Sequence, residues 1–363
     1  MQKNTQIPNS PHIPTTLPMA KHLITLAEKG KLPDFLIRFG IRQLCLNRLK
    51  QEQASDPESQ QRRFQALIEE LRNSPIAVET ETANEQHYEV PTEFYLATLG
   101  SRLKYSCGYY SEPNSTLDEA EDAMLSKYSQ RAELNDTQRI LELGCGWGSL
   151  TLWMAEKYPN SSITAVSNSS TQKQHIESQC RNRGFNNVTV ITADMNAVEL
   201  PPHHFDRVVS IEMFEHMRNY RVLLNRIAGW LKSDGKLFIH IFAHRNVMYT
   251  FEPQGDEDWM SRHFFTGGLM PSTDTMLHFQ EHLNIEQRWL VNGTHYQKTC
   301  NDWLKKTDQQ KTTVIEAFQT SYGKDHAELW FHRWRIFYMA CAELFGLRNG
   351  REWMVAHFLF NKR

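Results

Sequence analysis

The densest acid–base stretch in the chain is Glu212-Met-Phe-Glu-His216, two carboxylates and an imidazole within five residues. Such a set can hold a cation and take a proton from it. Glutamate is also favoured at a helix start by the dipole, so the cluster gains meaning only from where it lies. A second stretch, Arg139-Ile-Leu-Glu-Leu-Gly-Cys-Gly-Trp-Gly148, supplies a place for a ligand. Ile140, Leu141 and Leu143 form the short apolar run of a buried parallel strand. Gly144, Gly146 and Gly148 follow at alternate positions, and Ser149 to Tyr158 reads as a helix. Strand, glycine turn and helix open a nucleotide-binding βαβ unit, where a Cβ would block a ligand from the backbone. A dinucleotide pyrophosphate favours G-x-G-x-x-G; here the order is G-x-G-x-G after the acidic Glu142. His240 and His244 are four apart. That spacing converges two imidazoles on a helix but not across a strand end and loop, so no metal is expected.

The elements that must carry these residues alternate regularly after residue 139. Strands are expected at Ser162–Val166, Val188–Thr192, Arg207–Ile211 and Lys236–Ile241, and helices at Ser170–Arg183 and Tyr220–Lys232. This is an α/β chain with an open, doubly wound, mostly parallel sheet. Ligands bind such sheets at the carboxyl ends of the strands. Asn168 ends the second strand and can hold a ribose edge, with Gln172 one helical turn on. Asp194 and Met195 end the third, placed for an adenine amino group and ring. Ile211 ends the fourth, next to the Glu/His cluster. Asp and Asn are common turn residues too, but here polar positions fall at four successive strand ends.

Outside this core the pattern changes. Residues 1–18 hold four prolines and read as a disordered tail. Residues 19–80 read as a helical extension, with one helix over 19–50 and another starting at Asp56-Pro57. Positions 1–50 carry eight Lys/Arg against Glu28 and Asp34. That leaves open a helix lying on an anionic membrane, one docked on its own domain, or one packed on a dimer mate. Thr116-Leu-Asp-Glu119 is a capping box for a helix to about Leu134. Residues 242–282 break the alternation and read as an insertion over the pocket. Asn284–Trp289 and Trp353–Phe360 read as late strands, with one helix between them carrying Trp330, Trp334 and Phe337.

Composition excludes several classes. The 363 residues carry a net charge of -2, which favours neither nucleic acid nor an anionic surface. Six cysteines without a C-x-x-C pair read as reduced thiols in a cytoplasmic protein. No apolar run of about 18 residues exists, so no transmembrane segment is expected.

The glycine turn after Glu142 resembles motif I of S-adenosylmethionine-dependent methyltransferases. The resemblance places Glu142 near the methionyl amine. More specifically, the chain resembles the cyclopropane fatty acid synthase-like methyltransferases, and within them the coclaurine N-methyltransferase branch. The matching stretches include Leu103-Lys-Tyr-Ser-Cys107, Leu143-Gly-Cys-Gly-Trp-Gly-Ser-Leu150, Glu212-Met-Phe-Glu-His-Met217, Phe264-Phe-Thr-Gly-Gly268, Asn292-Gly-Thr-His-Tyr296 and Glu352–Phe360. They span about residues 86–363. The resemblance implies a class I Rossmann-like methyltransferase domain over 81–363. It implies cofactor contacts at Tyr105, Ser106, Glu142, Gly144, Gly146, Asn168, Gln172, Asp194, Met195 and Ile211. It implies an amine site around Glu89, Glu212, Glu215 and His216.

The lipid-cyclopropanating branch uses a bicarbonate ion as base. Its ligand positions match Cys107, Glu215, His240 and Tyr296, and its late cysteine matches Cys341, a further catalytic candidate. The amine branch is favoured by Tyr88-Glu-Val-Pro91 and by Asn349-Gly-Arg-Glu-Trp-Met354. The expected activity is N-methylation of a small cyclic or aromatic amine. The alternative is methylene transfer to unsaturated phospholipid chains, with bicarbonate and peripheral membrane contact. A non-catalytic scaffold would have no use for the complete acid–base cluster. A homodimer is compatible with the extension.

Overall fold

The computed structural model describes residues 18–78, 90–252 and 258–363. Positions 1–17 of the tail expected over 1–18, Glu89 and the start of the domain at 81 lie outside the described residues, and Pro18 already belongs to a helix.

The described chain opens with α1 (Pro18–Glu28), α2 (Asp34–Glu52) and α3 (Pro57–Asn73). The single helix expected over 19–50 is therefore two, because Gly30 and Pro33 interrupt it. Asp56 caps α3 by accepting a hydrogen bond from the Ser59 amide at 2.7 Å. Short α4 (Thr92–Thr98) and α5 (Leu117–Arg131) follow. The capping box forms at Thr116 and Glu119, and α5 ends three residues before Leu134.

The alternating region builds β1 (Arg139–Leu143), α6 (Ser149–Lys157), β2 (Ser162–Ser167), α7 (Ser170–Arg183), β3 (Val188–Thr192), β4 (Phe205–Ile211), α8 (Tyr220–Trp230) and β5 (Leu231–His244). β5 outruns its expected end at Ile241. Its antiparallel partner, the last strand β9 (Trp353–Lys362), stays in register with it out to His244. The expected insertion at 242 therefore begins as continued strand. It then holds a two-stranded ribbon, β6 (Tyr249–Thr250) and β7 (Leu269–Met270), around short α9 (Trp259–His263).

After β8 (Leu283–Val291) come three helices where one was expected: α10 (Thr294–Gln309), α11 (Lys311–Tyr322) and α12 (Lys324–Gly346). β9 (Trp353–Lys362) closes the chain. The seven-stranded sheet runs β3-β2-β1-β4-β5-β9-β8, with β1 to β5 parallel and β9 antiparallel to both its neighbours, β5 and β8. Strand order reverses beside β1, which sets the crevice for a ligand there.

Among the described residues, α2 is tied by ion pairs to α12 and to the insertion. Arg38 and Arg42 of α2 both pair with Glu343 of α12, at 2.8 and 2.7 Å. Arg335 reaches Asp34 at 2.7 Å, and Arg48 reaches Asp258 at 3.1 Å. Three of the eight basic residues in positions 1–50, Arg38, Arg42 and Arg48, are thus paired within the molecule. No helix among the described residues is long and apolar enough to cross a membrane.

Candidate active site

A single cavity opens at the carboxyl ends of β1 to β4. Tyr105, Ser106, Glu142, Gly144, Gly146, Asn168, Gln172, Asp194, Met195 and Ile211 all line it. Each follows from an element's end. Gly144, Gly146 and Gly148 adopt positive φ to turn the chain from β1 into α6. A Cβ on Gly144 would meet Met213 at 2.7 Å, whereas one on Gly146 would meet nothing within 4 Å. Gly144 is thus small for packing, and Gly146 keeps space open for a ligand. Ser149, at the start of α6, lines the same space with a buried hydroxyl that has no partner. Glu142 is buried and accepts one hydrogen bond, from the Thr151 hydroxyl at 2.5 Å. Burial pushes its carboxyl up to about 8, partly offset by Thr151. An unsatisfied serine at a helix N-terminus, a buried acid and an open glycine turn fit an amino acid's carboxylate and amine. Ser169 caps α7, and Ser167 donates to Gln172 Oε1 at 2.7 Å, fixing that amide at the wall.

Glu212 and His216 line the other side of the cavity. Glu212 has a φ of +49, a left-handed conformation that a residue with a Cβ enters at about 1–2 kcal/mol. Three donors hold it there. Its Oε1 accepts from the Cys107 amide at 3.1 Å and faces His240 Nε2 at 2.9 Å. Its Oε2 accepts from the Tyr296 hydroxyl at 2.6 Å. Burial raises its carboxyl, and the Lys104 ammonium, the Tyr296 hydroxyl and the Cys107 amide pull it back. Lys104 is itself buried. It donates to the Ser106 hydroxyl at 2.5 Å and to the Cys107 carbonyl at 2.8 Å. Burial pushes its ammonium down to about 8, with Glu212 opposing.

Residues 77–352 match the mycolic acid cyclopropane synthetase family. The chain belongs to that family. Within it, the chain is 39% identical over 345 residues to the (S)-coclaurine N-methyltransferase of Thalictrum flavum subsp. glaucum, covering 94% of this chain and 95% of that one. It is 25% identical over 272 residues to the cyclopropane-fatty-acyl-phospholipid synthase of Escherichia coli strain K12, covering 74% of this chain and 66% of that one. A crystal structure of coclaurine N-methyltransferase bound to N-methylheliamine and SAH superposes with a TM-score of 0.91. It is 39% identical and covers 95% of this chain and 100% of that one.

Two expectations for a cyclopropane synthetase family site need correction. Glu215 does not line the cavity. Its Oε1 accepts from the Phe242 amide at 2.7 Å, and its Oε2 is buried without a partner. The 3₁₀ turn Phe214–His216 sends it into the core behind β5 while His216 faces the cavity. The bicarbonate positions are also differently used: Cys107 N–H, His240 and Tyr296 all engage Glu212, and Glu215 stands apart from them. Cys341 lines the cavity beside Cys300.

Sequence reasoning set residues 242–282 over the pocket but did not identify the aromatic side chains of the far wall. Trp303, Phe337 and Phe345 come from α10 and α12, and Phe242, Phe251 and Phe265 from the end of β5 and the ribbon. Aromatics at helical spacing look alike whether they fill a core or face a ligand. Lys104 and Ser149 were also missed; each sits inside a matching stretch, but nothing local marks a lysine as buried.

Proposed function

We propose that this protein is an S-adenosylmethionine-dependent N-methyltransferase acting on a small cyclic or aromatic amine. The carrying observation is the Glu212 carboxylate, fixed at the cavity wall by three donors. A side-chain carboxylate already takes the hydrogen bonds that a free bicarbonate would need. The same fixed anion, facing an aromatic wall, suits a ring-bearing ammonium. The (S)-coclaurine N-methyltransferase named above, and the pavine N-methyltransferase of the same plant at 34% identity, support this reading.

The bound cofactor supplies an electrophilic methyl on a sulfonium. The chain's residues do the rest. Gly146 and Ser149 receive its amino-acid end, with Glu142 facing the amine. Asn168 and Gln172 hold the ribose, and Asp194 and Met195 the adenine. Glu212 draws the acceptor's ammonium to the cavity wall and orients it. The amine attacks only as free base, so His216 takes its proton. The aromatic wall keeps water out. With all six cysteines as thiols, we place the enzyme in the cytoplasm, acting on a dissolved substrate.

The test is transfer of a labelled methyl group from cofactor to two panels, cyclic amines and unsaturated phospholipid vesicles, with and without added bicarbonate. Label should appear in an amine, independent of bicarbonate. Label entering lipid, faster with bicarbonate, would overturn the proposal.

A further inference from the structure

Behind Glu212 runs a chain of buried groups that no cavity contact explains. Register places His240 of β5 directly opposite His357 of β9. His357 Nε2 lies 2.9 Å from His240 Nδ1. Arg131, the last residue of α5, lies 2.6 Å from His357 Nδ1 through its guanidinium. Both imidazoles are wholly buried, and burial with the neighbouring cations pushes both well below the ordinary histidine range. Each is therefore neutral, with one N–H and one acceptor nitrogen.

That condition fixes every proton in the chain. A guanidinium can only donate. So His357 Nδ1 accepts, and its proton sits on Nε2. That N–H donates to His240 Nδ1, which leaves the His240 proton on Nε2. The His240 Nε2–H then donates to Glu212 Oε1 at 2.9 Å. A second path ends at the same nitrogen. Lys104 donates to Ser106, Ser106 bonds the Tyr128 hydroxyl, and that hydroxyl lies 2.9 Å from His240 Nδ1. Two cations, at opposite ends, thus present donors to one ring nitrogen.

We propose that Arg131 and His357 are positioning residues for methyl transfer: they lock His240 as an Nε2–H donor and so hold Glu212 ionised and aimed at the substrate amine. This rests on the amine reading of the site. Reversal of the His357 tautomer would turn the His240 lone pair toward the carboxylate. Glu212 would then take up a proton and lose its grip on a cation. Besides the groups already named, Glu215 and the thiols of Cys107 and Cys300 face Glu212. All three are uncharged at neutral pH because burial raises each, so the wire and Lys104 are what set its charge.

Four proteins test this: wild type, Arg131→Met, Arg131→Lys, and Arg131→Met combined with Glu212→Gln. Nitrogen-15 NMR of labelled histidines should show His240 and His357 as Nε2–H tautomers in wild type and Arg131→Lys, and a mixture in Arg131→Met. With an accepted amine, Arg131→Met should lower kcat at neutral pH by roughly tenfold and move the acid limb of the pH–rate profile up by about one pH unit. Arg131→Lys should restore both. In the Glu212→Gln background the Arg131 change should add almost nothing, since it acts through that carboxylate. Cofactor affinity, by calorimetry, should stay at the wild-type value in Arg131→Met. A wild-type His357 carrying its proton on Nδ1, or an unchanged tautomer and profile in Arg131→Met, overturns the proposal. The tautomer readout needs no substrate. It therefore decides the wire even if the amine reading fails.

Discussion

Glu142 and Glu212 stand in opposite halves of the cavity, and these two carboxylates are prepared in opposite ways. Glu142, on the cofactor side, has a single hydroxyl donor and is pushed up to about 8. Glu212, on the acceptor side, has a peptide N–H, an imidazole and a phenol. The first leaves its charge to be completed by what binds. The second has its charge set in advance by the protein. The difference suits their partners. A cofactor that brings its own fixed ammonium can ionise the acid it meets. An acceptor amine that must end as free base needs an anion that is already there.

The largest break in this comparison comes from removing the preset charge. Glu212→Gln keeps the size but sets an amide NH2 against donors that need an acceptor, and it forfeits the charge. Methylation should fall by roughly 10²–10⁴, as for loss of a charged group that orients the acceptor. Cofactor affinity should stay near wild type. Single-turnover rates and calorimetry on the same sample separate the two. A rate within tenfold of wild type would show that the aromatic wall alone orients the amine.

Next in size is a contrast between two glycines. Gly146→Val places its side chain in open space at the ligand's position, so cofactor affinity should drop by more than about tenfold. Its φ of +52 adds strain of only about 1–2 kcal/mol. Gly144→Ala meets Met213 at 2.7 Å, so it should lower Tm more and affect affinity mainly through loss of fold. Thermal melts with and without cofactor should reverse the order of the two variants. If both lose stability equally and both still bind, the cofactor does not lie on this turn.

A gentler test reads the proton on Glu142. Without ligand its carboxyl lies near 8. A bound ammonium favours the ionised form and lowers that value. Binding therefore releases a proton below pH 8, and affinity should rise with pH, by up to about tenfold per unit, levelling above about 8. Glu142→Gln should flatten the curve. Calorimetry in two buffers of different ionisation enthalpy counts the proton directly; a variant as steep as wild type would show that Glu142 does not carry the dependence.

The same asymmetry explains what could be read from the sequence. The cofactor half hangs on strand ends, and strand ends are local: an apolar run, then Gly144, Asn168 or Asp194. Spacing alone locates them. Helix and strand limits in this half agreed closely, Ser170–Arg183 and Val188–Thr192 without change. The acceptor half depends on pairings remote in sequence. Glu212 meets Tyr296 across 84 positions, and Arg131 meets His357 across 226. No periodicity announces such a contact. Of α10 to α12, the expected helix with Trp330, Trp334 and Phe337 is α12, and α10 and α11 had no counterpart in the sequence reading. Glu215 was placed with Glu212 by adjacency, although three residues in a tight turn point the two in different directions.

Glu215 also supplies the smallest effect and the sharpest check on that distinction. Its carboxyl is wholly buried, with burial and then the Glu212 charge pushing it well above the ordinary range. It is therefore protonated at neutral pH. Its Oε1 accepts from the Phe242 amide, a bond that a glutamine carbonyl can keep. Glu215→Gln replaces O–H with NH2 at almost the same volume, and the methylation rate should change by less than about tenfold. Stability should respond to pH instead. In wild type the unfolded chain loses this proton as pH rises past about 4.5, while the folded chain retains it. Stability contributed by the protonated form is thus lost progressively as pH climbs toward the raised folded value. The glutamine does not titrate, so the Tm of Glu215→Gln should overtake that of wild type as pH rises. Melting curves across neutral pH, beside the rate of each protein, give both numbers. A rate loss of 10² or more with unchanged cofactor affinity would put Glu215 on the substrate side of the turn, and its carboxyl would then have to swing past Phe242 when the amine arrives.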